Sequence, residues 1–164
     1  MKPKTVGRTQ GGIAAEVPSH INGLMAESII LTLDGEKPVG DVTPGDRVIT
    51  RDAGMAVVTG LRKRTVKARA VTIAAGSLGH TRPERDVLLP AGQPVLVRDW
   101  RAEALFGARQ AIVPAARLID GEFIRDVGDV EMTLCEITFD RAHVLYVDGL
   151  EVAGHPHPAV AEAA

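Results

Sequence analysis

Imidazole side chains are the first groups in this sequence that could carry chemistry. His155 and His157 stand one residue apart in the run HPH, so they would share one face of an extended segment, a spacing that some zinc sites use. With His143 and a carboxylate they could complete a metal site. The pair lies beside Pro156 and Pro158 near the chain end, however, where polar residues commonly close a domain. We therefore expect neither a metal nor another cofactor.

The thiol of Cys135 is the second group that could react. It lies in the run TLCEITF, whose alternating apolar residues predict a buried strand. A single cysteine forms neither an internal disulfide nor a thiolate zinc cage, and no basic or helix-start environment that would activate it is visible in the sequence. We interpret Cys135 as a core residue.

The basic run GLRKRTVKARA (60–70) could contact phosphates. Its cations do not keep to one face of a strand, and no aromatic residue interleaves them. In the whole chain 19 basic and 21 acidic residues nearly balance, and aromatic residues make up only 3%. We predict a solvated hairpin here and no nucleic-acid partner.

Short apolar runs must position these groups. They alternate with turn signals such as DGEKP, TPGD and VDGL at intervals of roughly 8–12 residues, which predicts an all-β domain. The run 99–120 differs, and it predicts a short helix that ends near Gly107, then a strand and a helical turn. Trp100, Leu105 and Phe106 are predicted to share one side of this helix.

The length of 164 residues suits one domain. We predict a flexible leader over 1–22, a domain over 23–158 and a short tail over 159–164. No signal-peptide pattern and no run of about 18 apolar residues occurs, so we expect a cytoplasmic protein that does not bind a membrane.

Four runs, in this order, resemble the bacterial branch of the Hint (Hedgehog/intein) family. The first, TLDGEKPVGDVTPGDRVITRDAG, resembles the family's opening hairpin. The others are AVTIAAGSLGHTRPERDVLLP, VPAARLIDGEFIRDV and EMTLCEITFDRAHVLYVDGL. The resemblance covers about 23–154. It implies a curved, flattened all-β domain with a two-fold-like internal arrangement.

Members of this family cleave or rearrange their own backbone. The resemblance implies a cysteine or serine at the first position of the domain, which attacks the preceding carbonyl, and a Thr-x-x-His block that orients and protonates the scissile amide. Counting back from Ser28 places the first position at Gly23, and the block aligns with Pro90 to Gln93. Glycine cannot attack a carbonyl, and an amide cannot shuttle a proton. We expect an inactive enzyme.

Two residues could restore activity. Ser28 is the nearest hydroxyl to the first position, although we expect it to begin or pair a strand. His143 could face the old site, because Ala142 occupies the slot where relatives often carry a histidine and the register is uncertain by one residue. The simpler expectation is that His143 lies exposed at a strand edge.

Three functions remain open from the sequence. The first is a degenerate autoprocessing domain that acts as a binding or scaffold module with an unknown protein partner. The second is an active self-processing domain that uses Ser28 as nucleophile. The third is an unrelated β-barrel binding protein whose turns imitate the family.

Overall fold

A computed structural model describes residues 21–79 and 82–154, and most of them lie in antiparallel strands. The strands are β1 (Leu24–Met25), β2 (Ile29–Thr32), β3 (Gly35–Pro38), β4 (Arg47–Thr50), β5 (Gly54–Val57), β6 (Gly60–Ile73), β7 (Val87–Pro90), β8 (Pro94–Val97), β9 (Ala111–Pro114), β10 (Ile124–Thr138), β11 (Val144–Val147) and β12 (Leu150–Ala153). One α-helix, α1 (Trp100–Phe106), and two 3₁₀ turns, Val39–Asp41 and Ala115–Leu118, complete the described elements. The prediction of an all-β domain with short helical segments is confirmed.

The turns form where the sequence predicts them. Gly45 in the PGD turn has a φ of 97°, which a residue with a side chain rarely adopts. The Asp46 carboxylate closes that turn, because it accepts hydrogen bonds from the Thr43 N–H and the Lys37 ammonium, both at 3.0 Å. The chain therefore leaves the turn in the direction that β4 requires.

Two antiparallel sheets build the domain. One runs in the order β1-β10-β6-β7, and the other in the order β3-β2-β4-β11-β12-β8-β9, with β5 paired to β4. Strand β2 also contacts β11, where Ile30 faces Val147. The opening and closing strands of the domain therefore meet in one sheet, as the family resemblance requires.

The main core joins apolar residues from both sheets. Ile30, Val95 and Leu145 come from the larger sheet, and Ile73 and Leu89 from the smaller one, all fully buried. A second, smaller cluster lies on β1, β6 and β10. Burying these side chains is the main favourable contribution to folding.

Helix α1 begins and ends as predicted, but its buried face differs. The Asp99 carboxylate accepts a hydrogen bond from the Arg101 N–H at 3.0 Å, and Gly107 ends the helix with a φ of 71°. Trp100 is 66% exposed and Leu105 is also exposed, whereas Phe106 is buried. The prediction that the three share one side is wrong, because Arg101, with Ala102, turns inward instead of the tryptophan.

The remaining boundary predictions fall partly outside the described residues. Most of the predicted leader (1–20) and the tail 159–164 lie there, as do His155 and His157. In the part of the chain that the structure describes, no helix has both the length and the apolar character to cross a bilayer.

Candidate functional site

Gly23 lies directly before β1, beside β10. Its N–H donates a hydrogen bond of 2.9 Å to Oε1 of Gln93. Its φ is +138°, and a Cβ added there would lie 3.2 Å from Cβ of Leu134 and 3.4 Å from the Cys135 carbonyl oxygen. Both the backbone conformation and the space at this position suit glycine.

Gln93 brings the two aligned family positions together. It follows a turn in which its N–H donates to the Pro90 carbonyl at 3.0 Å, and its side chain is buried. Its Nε2 donates to the Ala153 carbonyl at 2.9 Å and to the Pro94 carbonyl at 3.0 Å. The Gly23 N–H can only donate, so the amide orientation is fixed by its partners, and every hydrogen of the amide is used.

Pro90 occupies the last position of β7, where it faces Ala70 of β6. It is buried and carries no N–H. The next residue resumes the hydrogen bonding, since the Ala91 N–H donates to the Arg69 carbonyl at 2.9 Å. Of residues 90–93, Gln93 is the one that lines the space beside Gly23.

A small cavity lies beside these residues. Its volume is about 10 Å³, close to the room that one water molecule needs. The cavity is lined by Gly23, Leu24, Gln93, Cys135, Ile137, Leu145, Ala153 and Gly154. No histidine, serine or threonine is among these described residues.

Cys135 is the one lining residue with a nucleophilic atom. It is buried in β10 opposite Leu24, as the sequence predicts. Burial raises the pKa of its thiol, and the charge of Lys63 offsets this only in part. Since the thiolate is the reactive form, this environment disfavours nucleophilic attack.

His143 is buried, with 3% of its surface exposed, so the expectation of a solvent-exposed histidine at a strand edge is wrong. Its Nδ1 lies 2.9 Å from Oδ2 of Asp52, its Nε2 lies 3.4 Å from Oδ1 of Asp140, and its ring meets Phe139 edge to face. Because both ring nitrogens have a carboxylate partner, the imidazole can be buried without losing its polar contacts. His143 does not line the small cavity, although its carbonyl accepts the N–H of Gly154, a lining residue, at 2.8 Å.

Asp52 also binds the backbone next to this histidine, because its Oδ1 accepts the Val144 N–H at 2.9 Å. Burial alone would raise the pKa of Asp52. The hydrogen bonds from Val144 and His143 outweigh that effect, so the pKa is lowered. The ionised carboxylate thus joins the end of β4 to the start of β11.

Ser28 lies in a different place from His143. It is buried, its N–H donates to the Met25 carbonyl at 3.0 Å, and its carbonyl accepts the Val39 N–H at 2.7 Å. It lines an open cleft with Arg85, Asp86 and Asp148, whereas His143 lines another cleft beside Met55. The structure does not bring these two candidates into one site.

The basic run on β6 is partly neutralised by β10. Arg64 and Arg62 lie 3.1 Å and 3.7 Å from the carboxylate of Glu136, and Nε of Arg69 donates to Asp126 at 2.8 Å. This pairing is what a solvated hairpin would show. Among residues 21–79 and 82–154, no group of three His, Cys, Asp or Glu side chains could hold a metal ion.

A second polar cluster was not foreseen from the sequence. Glu151 of β12 is buried, and its carboxylate accepts hydrogen bonds from Arg51, Arg82 and Arg98. These residues are far apart along the chain, so no local motif marks them. Only the three-dimensional structure reveals the cluster.

Comparison with known proteins agrees with this architecture. The sequence profile of the Hint domain matches residues 22–154. No match occurs among curated proteins. Several solved structures share the fold at low sequence identity.

A bacterial intein-like domain from Clostridium thermocellum has a TM-score of 0.55 at 16% identity, covering 82% of this chain and 99% of its own. For the gp41-1 intein the TM-score is 0.53 at 11% identity, with 80% of this chain and 98% of that chain covered. The MchDnaB-1 intein gives 0.51 at 17% identity, with 79% and 98% covered. With the profile match over most of its length, this chain belongs to the Hint domain family.

Proposed function

We propose that this Hint domain no longer processes its own backbone and instead serves as a folded binding or scaffold module. The observation that carries the proposal is the residue at the first family position. Gly23 offers no side-chain nucleophile, and its N–H is hydrogen-bonded to Gln93. A domain that lacks the attacking atom cannot form the thioester or ester that begins self-cleavage.

The proton-transfer position supports the same proposal. Gln93 replaces the histidine of the family block, and an amide does not titrate near neutral pH. All of its hydrogens are held by backbone carbonyls. The residue therefore acts as a structural connection where a processing domain keeps a general acid.

The thiol of Cys135 does not replace the missing nucleophile in this proposal. It lies in the small cavity, but its raised pKa keeps it protonated at neutral pH. Because three arginines of the basic run pair with acidic residues, we further propose that the module acts through a protein partner rather than through nucleic acid.

The test is self-cleavage of an N-terminal fusion. The chain is expressed behind a stable carrier protein and its intact mass is recorded with and without dithiothreitol or hydroxylamine. We expect one uncleaved species under all conditions. An active intein in the same fusion provides the positive control.

Two variants sharpen the result. Gly23→Cys is also expected to stay uncleaved, because the φ of +138° strains any side chain there and Gln93 cannot donate a proton in the transition state. Release of the carrier from the parent chain by thiol would contradict the proposal. Release by hydroxylamine that disappears in Ser28→Ala would instead support the active domain that uses Ser28.

A further inference from the structure

The carboxylate of Glu151 is fully used by its neighbours. Oε1 accepts from Arg82 at 2.8 Å and from Arg98 at 2.7 Å, while Oε2 accepts from Arg51 at 3.0 Å and from Arg98 at 3.3 Å. A carboxylate has about four acceptor positions, so Glu151 can take no further donor. Burial would raise its pKa, but the arginines outweigh that effect and lower it.

The three guanidinium groups keep unused donors and a surplus of positive charge. Each has five N–H donors and uses only one or two of them in these contacts and in the bond from Arg82 to the Leu78 carbonyl. One carboxylate balances one of three positive charges. Among the described residues, no second carboxylate lies within ion-pair distance of Arg51, Arg82 or Arg98.

Two of the three arginines, Arg82 and Arg98, line an open cleft of about 380 Å³, a size suited to a small molecule. We call it the arginine cleft, and define it by Arg82, Arg85, Arg98, Tyr146, Ile29 and Leu31. It thus combines three guanidinium groups, one phenol and an apolar wall. That composition is typical of a site that orients a ligand by one polar group and holds the rest by apolar contact.

Acidic residues at the same cleft restrict what can enter. Glu36 and Glu84 are exposed and also line it, as does Asp148, whose carboxylate already accepts the Ile29 N–H at 3.0 Å. A polyanion would bring further negative charge against these groups. A ligand with a single oxyanion avoids that repulsion.

We propose that the arginine cleft binds a small ligand that carries one carboxylate or phosphate group on an apolar body. The oxyanion accepts hydrogen bonds from Arg82 and Arg98, and the apolar body packs on Ile29 and Leu31. This site is separate from the cavity between Gly23 and Gln93 and goes beyond the proposed scaffold function. Ligand binding at this site would be a function that does not require cleavage of the protein's own backbone.

The composition of the chain allows a direct test, because it contains one tyrosine and one tryptophan. With 3-fluorotyrosine, the fluorine NMR signal of Tyr146 reports on the cleft, and with 5-fluorotryptophan the signal of Trp100 on α1 reports on a residue that does not line it. The protein is titrated with hexanoate, hexyl phosphate and the neutral hexanamide. We expect a saturable shift of the Tyr146 signal with at least one anion, no shift with hexanamide, and a constant Trp100 signal. The better of the two anions identifies the headgroup.

Variants connect the signal to the arginines. Arg98→Ala should weaken binding at least roughly tenfold, since it removes one of the two guanidinium groups that hold the oxyanion. Arg125→Ala, which removes an exposed arginine on β10, should bind like the parent. If circular dichroism shows that Arg98→Ala has lost its fold, Arg98→Lys replaces it, because it keeps the charge and loses the planar donor fork.

Three results would overturn the proposal. They are the absence of a saturable Tyr146 shift with both anions, an equal response to hexanamide, and unchanged affinity in a folded Arg98 variant.

Discussion

Gln93 connects three backbone groups through one buried side chain. Its amide accepts the Gly23 N–H and donates to the carbonyls of Pro94 and Ala153. The imidazole of a neutral histidine has only one donor and one acceptor, so it could not keep all three bonds. At this position the amide is therefore a better structural residue than the histidine that the family resemblance implies.

Gln93→Leu tests this role at the scale of the residue. Leucine fills a similar space but leaves one N–H and two carbonyls unpaired in the interior, so we expect the free energy of unfolding to fall by about 3 kcal/mol. Urea denaturation followed by circular dichroism measures the change. Gln110→Leu, at an exposed site, is the matched control and should change stability by less than about 0.5 kcal/mol. Equal effects of the two variants would show that the amide bonds contribute little.

At the scale of elements, Asp52 joins two strands that are distant in sequence. Its carboxylate binds the Val144 N–H and the His143 ring, and so fastens the turn between β4 and β5 to the start of β11. Its pKa is lowered in the folded state. The contribution of such a group is fully present above the pKa of the unfolded chain and is lost as the pH falls through the folded pKa.

We therefore expect Asp52→Asn to lower stability at pH 7 and to reduce the loss of stability on acidification below about pH 4, near the ordinary pKa of an aspartate. Urea midpoints measured from pH 7 down to pH 2 give both quantities. Other carboxylates with lowered pKa, such as Glu151, keep part of the acid sensitivity in the variant. Asp34→Asn changes an exposed carboxylate and serves as control. A difference between parent and Asp52→Asn that stays constant across this range would contradict the assignment.

Elements were more predictable from the sequence than their packing. The strands, the PGD turn and the limits of α1 follow local rules of periodicity and capping, which the chain obeys. The exposed Trp100 was missed because Arg101 turns inward, where its guanidinium donates to the Ser77 carbonyl at 2.7 Å. Hydrophobic periodicity does not reveal a charged side chain that is buried against a hydrogen-bond partner, so the sequence pattern could not predict this face of the helix.

At the scale of the whole molecule, the contacts between distant strands were the least predictable. The resemblance assigns Gly23 and Gln93 to one site, and these two residues, separated by 70 positions, share a hydrogen bond. By contrast, Glu151 and its three arginines follow no motif, because their side chains meet only after four separate segments have folded. The buried site of His143 was missed for the same reason, since its partner Asp52 lies 91 residues away.

These contacts predict that the domain unfolds as one unit. The opening strand β2 pairs with β3, β4 and β11, and Ile30 lies fully buried at its contact with Val147. Truncation of this side chain should weaken the junction between the two ends of the domain. In a cooperative unit, such a loss of stability lowers the unfolding midpoint equally for all elements, including distant ones.

Ile30→Ala is expected to lower the free energy of unfolding by about 2–5 kcal/mol, through lost burial and the cavity that remains. Urea unfolding is followed by the fluorine signals of Trp100 on α1 and Tyr146 on β11. The unfolding midpoints from the two signals should fall to lower urea concentration by the same amount. Leu33→Ala, at an exposed position just after β2, should leave both midpoints nearly unchanged. If the Trp100 midpoint stayed fixed while that of Tyr146 moved, α1 and its neighbours would be a separate folding unit, and the junction at Ile30 would stabilise only the larger sheet.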